Sequence, residues 1–296
     1  MNPEVESQDG SSGVVGGVGV SAAATGSAVA ERAARLLWER RVAGLPLDAL
    51  PQDLRPLDRA AGHAIQAALP MVSGRAVVGW KIAATSVAGQ LHIGVSGPLA
   101  GRVLYGMVDA DGATVSMAGN RMAVAEPEFA FRFGAALVPR TTPYRVDEVL
   151  AAVDALLPSI EVPNSRFADF VRAGEAQLIA DDACGHRFVL GEPTSADWRA
   201  IDLRTHRVRA EVRAADGLVR TVCEGDGTAV LGDPRLALVW LVNELSGLGV
   251  TLEAGQFVST GTCMVPLPIQ PGDRVRADYG VLGRMAVAFG EGPHAS

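Results

Sequence analysis

Residues 124–133 read VAEPEFAFRF, placing Glu126 and Glu128 two apart in an otherwise apolar run. A strand repeats its faces every second residue, so both carboxylates project to one side while Pro127, Phe129 and Phe131 project to the other. A third acid, Glu161, stands alone between Ile160 and Val162 in another short apolar stretch. Buried as isolated ions, such carboxylates would be strongly disfavoured by lost hydration and by mutual repulsion, so a cation or a shared proton belongs between them. Three oxygen donors with open coordination positions suit a hard divalent ion such as Mg²⁺ or Mn²⁺. Zinc fits less well, because the five histidines, at 63, 92, 186, 206 and 294, show no ligand spacing. A solvent-facing edge strand, with Glu161 paired to an arginine such as Arg166, satisfies the same spacing, and the local sequence leaves both arrangements open.

The other chemically pointed residue is Lys81, in VVGWKIAATS. Of the 26 lysines and arginines it is the only lysine. On a strand it shares a face with Val77, Gly79 and Ala83, mostly small side chains that leave room above the sheet, as the floor of a substrate pocket requires. A compact amine there could bind a carboxylate or, with its pKa lowered by burial, transfer a proton. The alternative is an ammonium that snorkels to the surface.

The bulk of the chain can position such a site. With 296 residues and 48% hydrophobic content it can bury a full core. A formal net charge of -7 and the absence of any basic run argue against nucleic acid as a partner. Cys184, Cys223 and Cys263 form neither a disulfide framework nor a CxxC pair, which fits a reducing cytoplasm. The glycine-broken N-terminal stretch carries acids and lacks the positive region of a secretory signal, and no segment reads as a membrane span.

The expected organisation is a disordered tail over 1–27, a helical cap over 28–75 and a mixed, mostly β body over 76–292. Short apolar runs punctuated by Gly, Pro and Asp predict the strands of that body. Helices are predicted over 146–157 and from Pro234 to Leu248, the latter opened by Asp233 and Pro234. Hairpins are predicted over 203–224 and 274–289.

Taken in order, VVGWKIAATS, AEPEFAF, LLPSIEVPNSRF, LIADDACGHRFVLG, the 231–261 stretch ending FVSTG, and IQPGDR resemble the 2-keto-4-pentenoate hydratase and 4-oxalocrotonate decarboxylase family of the fumarylacetoacetate hydrolase superfamily. The resemblance runs over about residues 35–290. It implies an α+β fold, a mixed β-roll with a helical N-terminal part, assembled as a homo-oligomer. It implies Mg²⁺ or Mn²⁺ on Glu126, Glu128 and Glu161, and Lys81 acting on a small 2-oxo or dienol acid. Substrate-binding positions implied with them are Thr85, Ser86, Arg166, Thr260 and Gly261, with Ser165 preceding the arginine. The activity implied is hydration, with decarboxylation or tautomerisation of a related acid as the alternative and a non-catalytic binding homologue as a further one. The chain departs from the family pattern in the loop GVSGPLAG, where acids give way to Ser96, Leu99 and Ala100, and at Asp182, where the pattern carries Asn.

Overall fold

The computed structural model describes residues 22–292. Its first helix, α1 (Ala22–Ala43), begins inside the stretch expected to be tail. Residues 1–21, and the expectation of disorder for them, lie outside the described residues. In α2 (Arg59–Ser73) the Asp58 carboxylate caps the first turn by accepting from the Ala61 amide at 2.8 Å, and Gly74, at φ 66°, closes the last.

The body then runs β1 (Val77–Ala83), α3 (Val87–Ile93), β2 (Leu99–Leu104), β3 (Val108–Ala110), β4 (Thr114–Ser116), β5 (Val124–Phe133), α4 (Val146–Ala152) and β6 (Val153–Val162). It continues with α5 (Glu175–Ala180), β7 (Arg187–Leu190), β8 (Arg207–Arg213), β9 (Val219–Asp226), α6 (Pro234–Gly247), β10 (Phe257–Thr262), β11 (Leu267–Pro268), β12 (Arg274–Asp278) and β13 (Arg284–Gly290). One sheet has the order β2-β1-β10-β5-β6-β7-β3, with β11 beside β5, and a second has the order β4-β13-β12-β8-β9. Parallel pairs (β1 with β10, β3 with β7, β4 with β13) stand among antiparallel ones, so the class is mixed α+β.

Both predicted hairpins form, as β8–β9 and β12–β13. The helix predicted over 146–157 ends at Ala152, and Leu156 and Leu157 belong to β6. The ladder that β6 makes against β5 from Val153 onward accounts for this, and Pro158 adds to it by disfavouring helical backbone at Leu157. Two short helices, α3 and α5, were not anticipated among the strands.

Alternation on β5 divides the core. Phe129, Phe131 and Phe133 face the second sheet and α6, packing with Val208, Val275, Val287 and Leu241 in the main cluster. Ala130 faces the other way, into a cluster with Ala33 and Leu37 of α1, Ile65 and Leu69 of α2, and Phe257. Glu126 and Glu128 lie on Ala130's face of the strand, the side toward α1 and α2.

Candidate active site

Four neighbouring strands, β1-β10-β5-β6, carry the polar residues of the site. Lys81 lies in register with Ser259, Glu126 with Glu161, and Glu128 with Ser159. In a flat sheet three spacings of about 4.8 Å would separate β1 from β6. Lys81 Nζ nevertheless stands 3.1 Å from Glu161 Oε1, so the sheet curls into a half-barrel that is concave on this side.

Within that concavity one carboxylate oxygen from each of Glu126, Glu128 and Glu161 lies within 4.8 Å of the other two. Glu128 Oε2 accepts from Ser259 Oγ at 2.5 Å and from the Gly261 amide at 3.1 Å. Ser259 Oγ is itself 2.9 Å from Ser159 Oγ. Tyr279, from the loop between β12 and β13, donates its hydroxyl to Ser159 O at 2.6 Å and accepts from the Glu128 amide at 3.1 Å, tying the second sheet to the site. Glu128 Oε1 and Glu161 Oε2 are buried and accept no hydrogen bond.

These unfinished oxygens leave the acids in tension. Burial pushes the Glu128 carboxyl up to about 8, with Glu126 adding to the effect, and it raises Glu126 and, more strongly, Glu161 above the usual carboxylate range. Up to three negative charges face one ammonium, with two oxygens uncommitted, and a dication would satisfy both deficits. The site therefore fits Mg²⁺ or a similar hard ion by donor chemistry as well as by convergence. The edge-strand alternative fails, since Glu128 and Glu161 are fully buried.

Lys81 is only 2% exposed and donates to the Ala183 carbonyl at 2.7 Å as well as pairing with Glu161. Its pKa contradicts the expectation of a lowered value. Burial does oppose the charge, but the field of Glu161, aided by Cys184, Glu126 and Glu128, outweighs it and raises the pKa, so Lys81 is a cation and a donor. Two glycine-dependent approaches make room. A side chain at Gly101 would lie 2.6 Å from Asp182 O and 3.0 Å from Lys81 Cδ, and one at Gly261, at φ 95°, would lie 2.5 Å from Thr85 Oγ1. Asp182, Ala183 and Cys184 all have left-handed φ, at 59°, 50° and 61°, a costly run for residues with a Cβ. That run aims the Ala183 carbonyl at the lysine.

A cavity of about 800 Å³ opens from this cluster. Lys81, Thr85, Ser86, Glu126 and Gly261 line it, and Glu128 and Glu161 do not. Thr260 does not reach it: adjacent strand residues face opposite ways, and its hydroxyl donates to Phe129 O at 2.9 Å. Arg166 does not reach it either. Its guanidinium donates to the Asp181 carboxylate and carbonyl, to Asn164 O at 2.7 Å and to Gly185 O at 3.1 Å. Ser165 donates to the same Asp181 carboxylate at 2.6 Å.

In the departing loop, Leu99 and not Ser96 faces the cavity. Ser96 is held by Glu175 through its amide at 3.1 Å and its hydroxyl at 2.9 Å. Asp182 accepts from the Arg102 amide at 2.6 Å, and burial raises its pKa to about 6 against the counter-pull of Arg41. Ser259, which donates to Glu128, is a residue of this cluster that the sequence motifs do not single out. Its signal was available in the alternation of FVSTGT, which puts Ser259, not Thr260, on the face of Lys81's neighbours.

No protein-family model matches the chain. It is 31% identical over 263 residues to a 2-keto-4-pentenoate hydratase of Paraburkholderia xenovorans (strain LB400), covering 88% of this chain and 94% of the relative. It is 32% identical over 216 residues to a 4-oxalocrotonate decarboxylase of Pseudomonas sp. (strain CF600), covering 73% and 78%. Among solved structures it is similar to 4-oxalocrotonate decarboxylase from Pseudomonas putida G7 complexed with magnesium and adipate. That match has a TM-score of 0.77 and 27% identity over 88% of this chain and 97% of the other. The carboxylate cluster, the curled mixed sheet and these relatives together place the chain in the 2-keto-4-pentenoate hydratase and 4-oxalocrotonate decarboxylase family, within the fumarylacetoacetate hydrolase superfamily.

Proposed function

We propose that this protein is a divalent-metal-dependent lyase that adds water to a 2-hydroxy-2,4-dienoate or 2-oxo-4-enoate type acid. The observation that carries the reading is the convergence of Glu126, Glu128 and Glu161, with uncommitted buried oxygens, beside a cationic lysine at one cavity. The hydratase relative supports the reaction type. Glu126, Glu128 and Glu161 would hold Mg²⁺ or Mn²⁺. When bound, the cation supplies Lewis-acid stabilisation of the negative charge that develops on the 2-oxygen and carboxylate of the acid.

The chain's own residues do the rest. Lys81, kept protonated by Glu161, presents an ammonium that binds the acid's negative end or delivers a proton. Ser259 and the Gly261 amide fix the Glu128 carboxylate so that one oxygen stays turned to the cation site. Thr85 and Ser86 offer hydroxyls on the cavity wall, much of the rest of which is apolar. Arg166 and Thr260 act by position, holding the backbone that carries the site.

The curled sheet supports reading the fold as a fumarylacetoacetate hydrolase-like β-roll, with 28–75 as its cap and 76–292 as its catalytic body. A cytoplasmic homo-oligomer completes the proposal. The free cysteines are compatible with the compartment, and exposed Leu218, Val219 and Val222 on the β8–β9 hairpin offer apolar contact surface. Among the described residues no helix is long and apolar enough to cross a membrane.

Proton NMR in D₂O with Mg²⁺ and 2-hydroxypenta-2,4-dienoate tests the reading. A 4-hydroxy-2-oxo product that disappears with chelator is the expected outcome. Deuterium exchange without water addition would move the reaction to decarboxylation or tautomerisation. That second reading rests on the loop, where Leu99 faces the cavity and Ser96 is turned to Glu175, so no loop acid is present to activate water. Absence of any metal-dependent change would overturn the metal-enolate chemistry.

A further inference from the structure

The cavity is larger and more apolar than a small dienoic acid needs. About 800 Å³ lies toward the upper end of the usual range for drug-sized ligands. One wall is a separate apolar cluster in which Leu99 and Leu178 pack with Ile93, Met122 and Phe170. Opposite chain segments add Cys263, Met264, Val265 and Pro266. Such a surface gains from covering a hydrocarbon and offers nothing to a second charged group.

The charges along the cavity point the same way. Among the described residues that line it, Lys81 is the only lysine or arginine, and it is already engaged with Glu161 and the Ala183 carbonyl. The ionisable groups lining it away from that cluster are His92, Glu224 and Asp226. Glu224 pairs outward with Arg209 at 3.4 Å and Arg207 at 3.9 Å, exposed arginines that do not line the cavity. Asp226 caps the following turn, accepting from the Thr228 amide at 3.0 Å. A carboxylate at the far end of a substrate would meet apolar walls, these acids or the lone His92 imidazole, and no lysine or arginine.

From this we infer that the substrate is a 2-oxo or dienol monoacid with a bulky apolar tail, alkyl or aryl, and that a terminal second carboxylate is selected against. The inference rests on the proposed 2-oxo-acid chemistry and names the substrate class within it. It separates this chain's expected substrate from 4-oxalocrotonate, which carries two carboxylates. Met122, half-buried and packed against that apolar wall, is the position at which the preference can be reversed with little disturbance to the fold.

The test is calorimetric binding, which needs no turnover. Saturated 2-oxo monoacids of increasing tail length, a phenyl-terminated member and chain-matched 2-oxo diacids are titrated into the protein with and without Mg²⁺. Mg²⁺-dependent affinity rising about fourfold per added methylene is expected until the cavity fills. Each diacid should bind at least about tenfold more weakly than its matched monoacid. Met122→Lys should narrow that gap by adding a cation of similar length to the wall. Affinity that is flat with tail length, or diacids that bind as tightly as monoacids, would overturn the tail inference while leaving the metal site intact. If no 2-oxo acid binds in a Mg²⁺-dependent way, the functional reading itself fails and takes the inference with it.

Discussion

Two buried charged clusters lie side by side in this molecule, and they are finished to different degrees. Around Arg166, the carboxylate and carbonyl of Asp181, the carbonyls of Asn164 and Gly185 and the Ser165 hydroxyl close a network in which each named group has a partner. Around Glu161, three carboxylates meet one lysine, and two buried oxygens accept nothing. Both clusters are largely buried and both contain an ion pair, so burial and pairing do not tell a structural network from a reactive one. The difference is in what is left over. A fold that satisfies nearly all its buried polar groups leaves them unsatisfied where something else is meant to bind.

The sharpest way to break this comparison is to attack the closed network. Arg166→Leu leaves Asp181 buried without its cation and should reduce folding stability by about 3–5 kcal/mol, read from urea unfolding. Mg²⁺ affinity in the remaining folded protein should hold. A stable variant with a raised KM would instead put Arg166 in the substrate site.

Asp182, between the clusters, predicts a pH effect. Its folded pKa of about 6 stands above the ordinary value of 3.8 because burial outweighs Arg41 and the Arg102 amide. The folded chain therefore holds this proton more tightly than the unfolded chain. The stability that proton contributes is full below about pH 3.8 and is lost as pH rises through about 6. Asp182→Asn keeps an acceptor for the Arg102 amide and removes the titration. It should be more stable than the parent at pH 7 by up to about 3 kcal/mol, with the advantage vanishing toward pH 3.8. Thermal melting across that range checks it, and parallel curves for parent and variant would show that the carboxylate stays charged throughout.

Glu128→Gln addresses the open cluster. It removes a ligand charge at nearly constant volume and should weaken Mg²⁺ binding by about 10²-fold or more, while the metal-free fold stays as stable as the parent or becomes more so. Calorimetry with Mg²⁺ and melting in chelator give the two halves of that result. Loss of stability without loss of Mg²⁺ affinity would make Glu128 structural, and the contrast between the clusters would collapse.

Much of this contrast was legible before any coordinates. Glu126, Glu128, Glu161 and Lys81 stood out because each is a charged residue in a run whose other members are apolar, and period-two alternation gave the acids a common face. The two hairpins and α6 carry their own local signals in turn residues and in the Asp233–Pro234 start. What failed was what local pattern cannot hold. VDEVLAAVDALL has helical periodicity throughout, yet ladder pairing and Pro158 claim its second half. Arg166 looks like a ligand for an anion until Asp181, fifteen residues on, is brought to it. The left-handed run at 182–184 contains no glycine to announce it, and the cavity wall is assembled from segments far apart in sequence.

The smallest effect probes the seam where the open cluster is partly closed. Ser259 Oγ donates to Glu128 Oε2, the oxygen also held by the Gly261 amide, and is in reach of Ser159. Ser259→Ala removes one of those two donors without changing a ligand, so Glu128 keeps its place through Gly261 but with more rotational freedom. A lost hydrogen bond to a charged acceptor is commonly worth about 1.5 kcal/mol, and Mg²⁺ affinity should fall about tenfold, well short of the Glu128→Gln loss. Activity at saturating Mg²⁺ should largely recover, because a positioning defect is overcome by mass action and a missing ligand is not. If excess Mg²⁺ fails to restore turnover, Ser259 contributes to the reaction itself, and the boundary between holding the site and forming it moves inward by one residue.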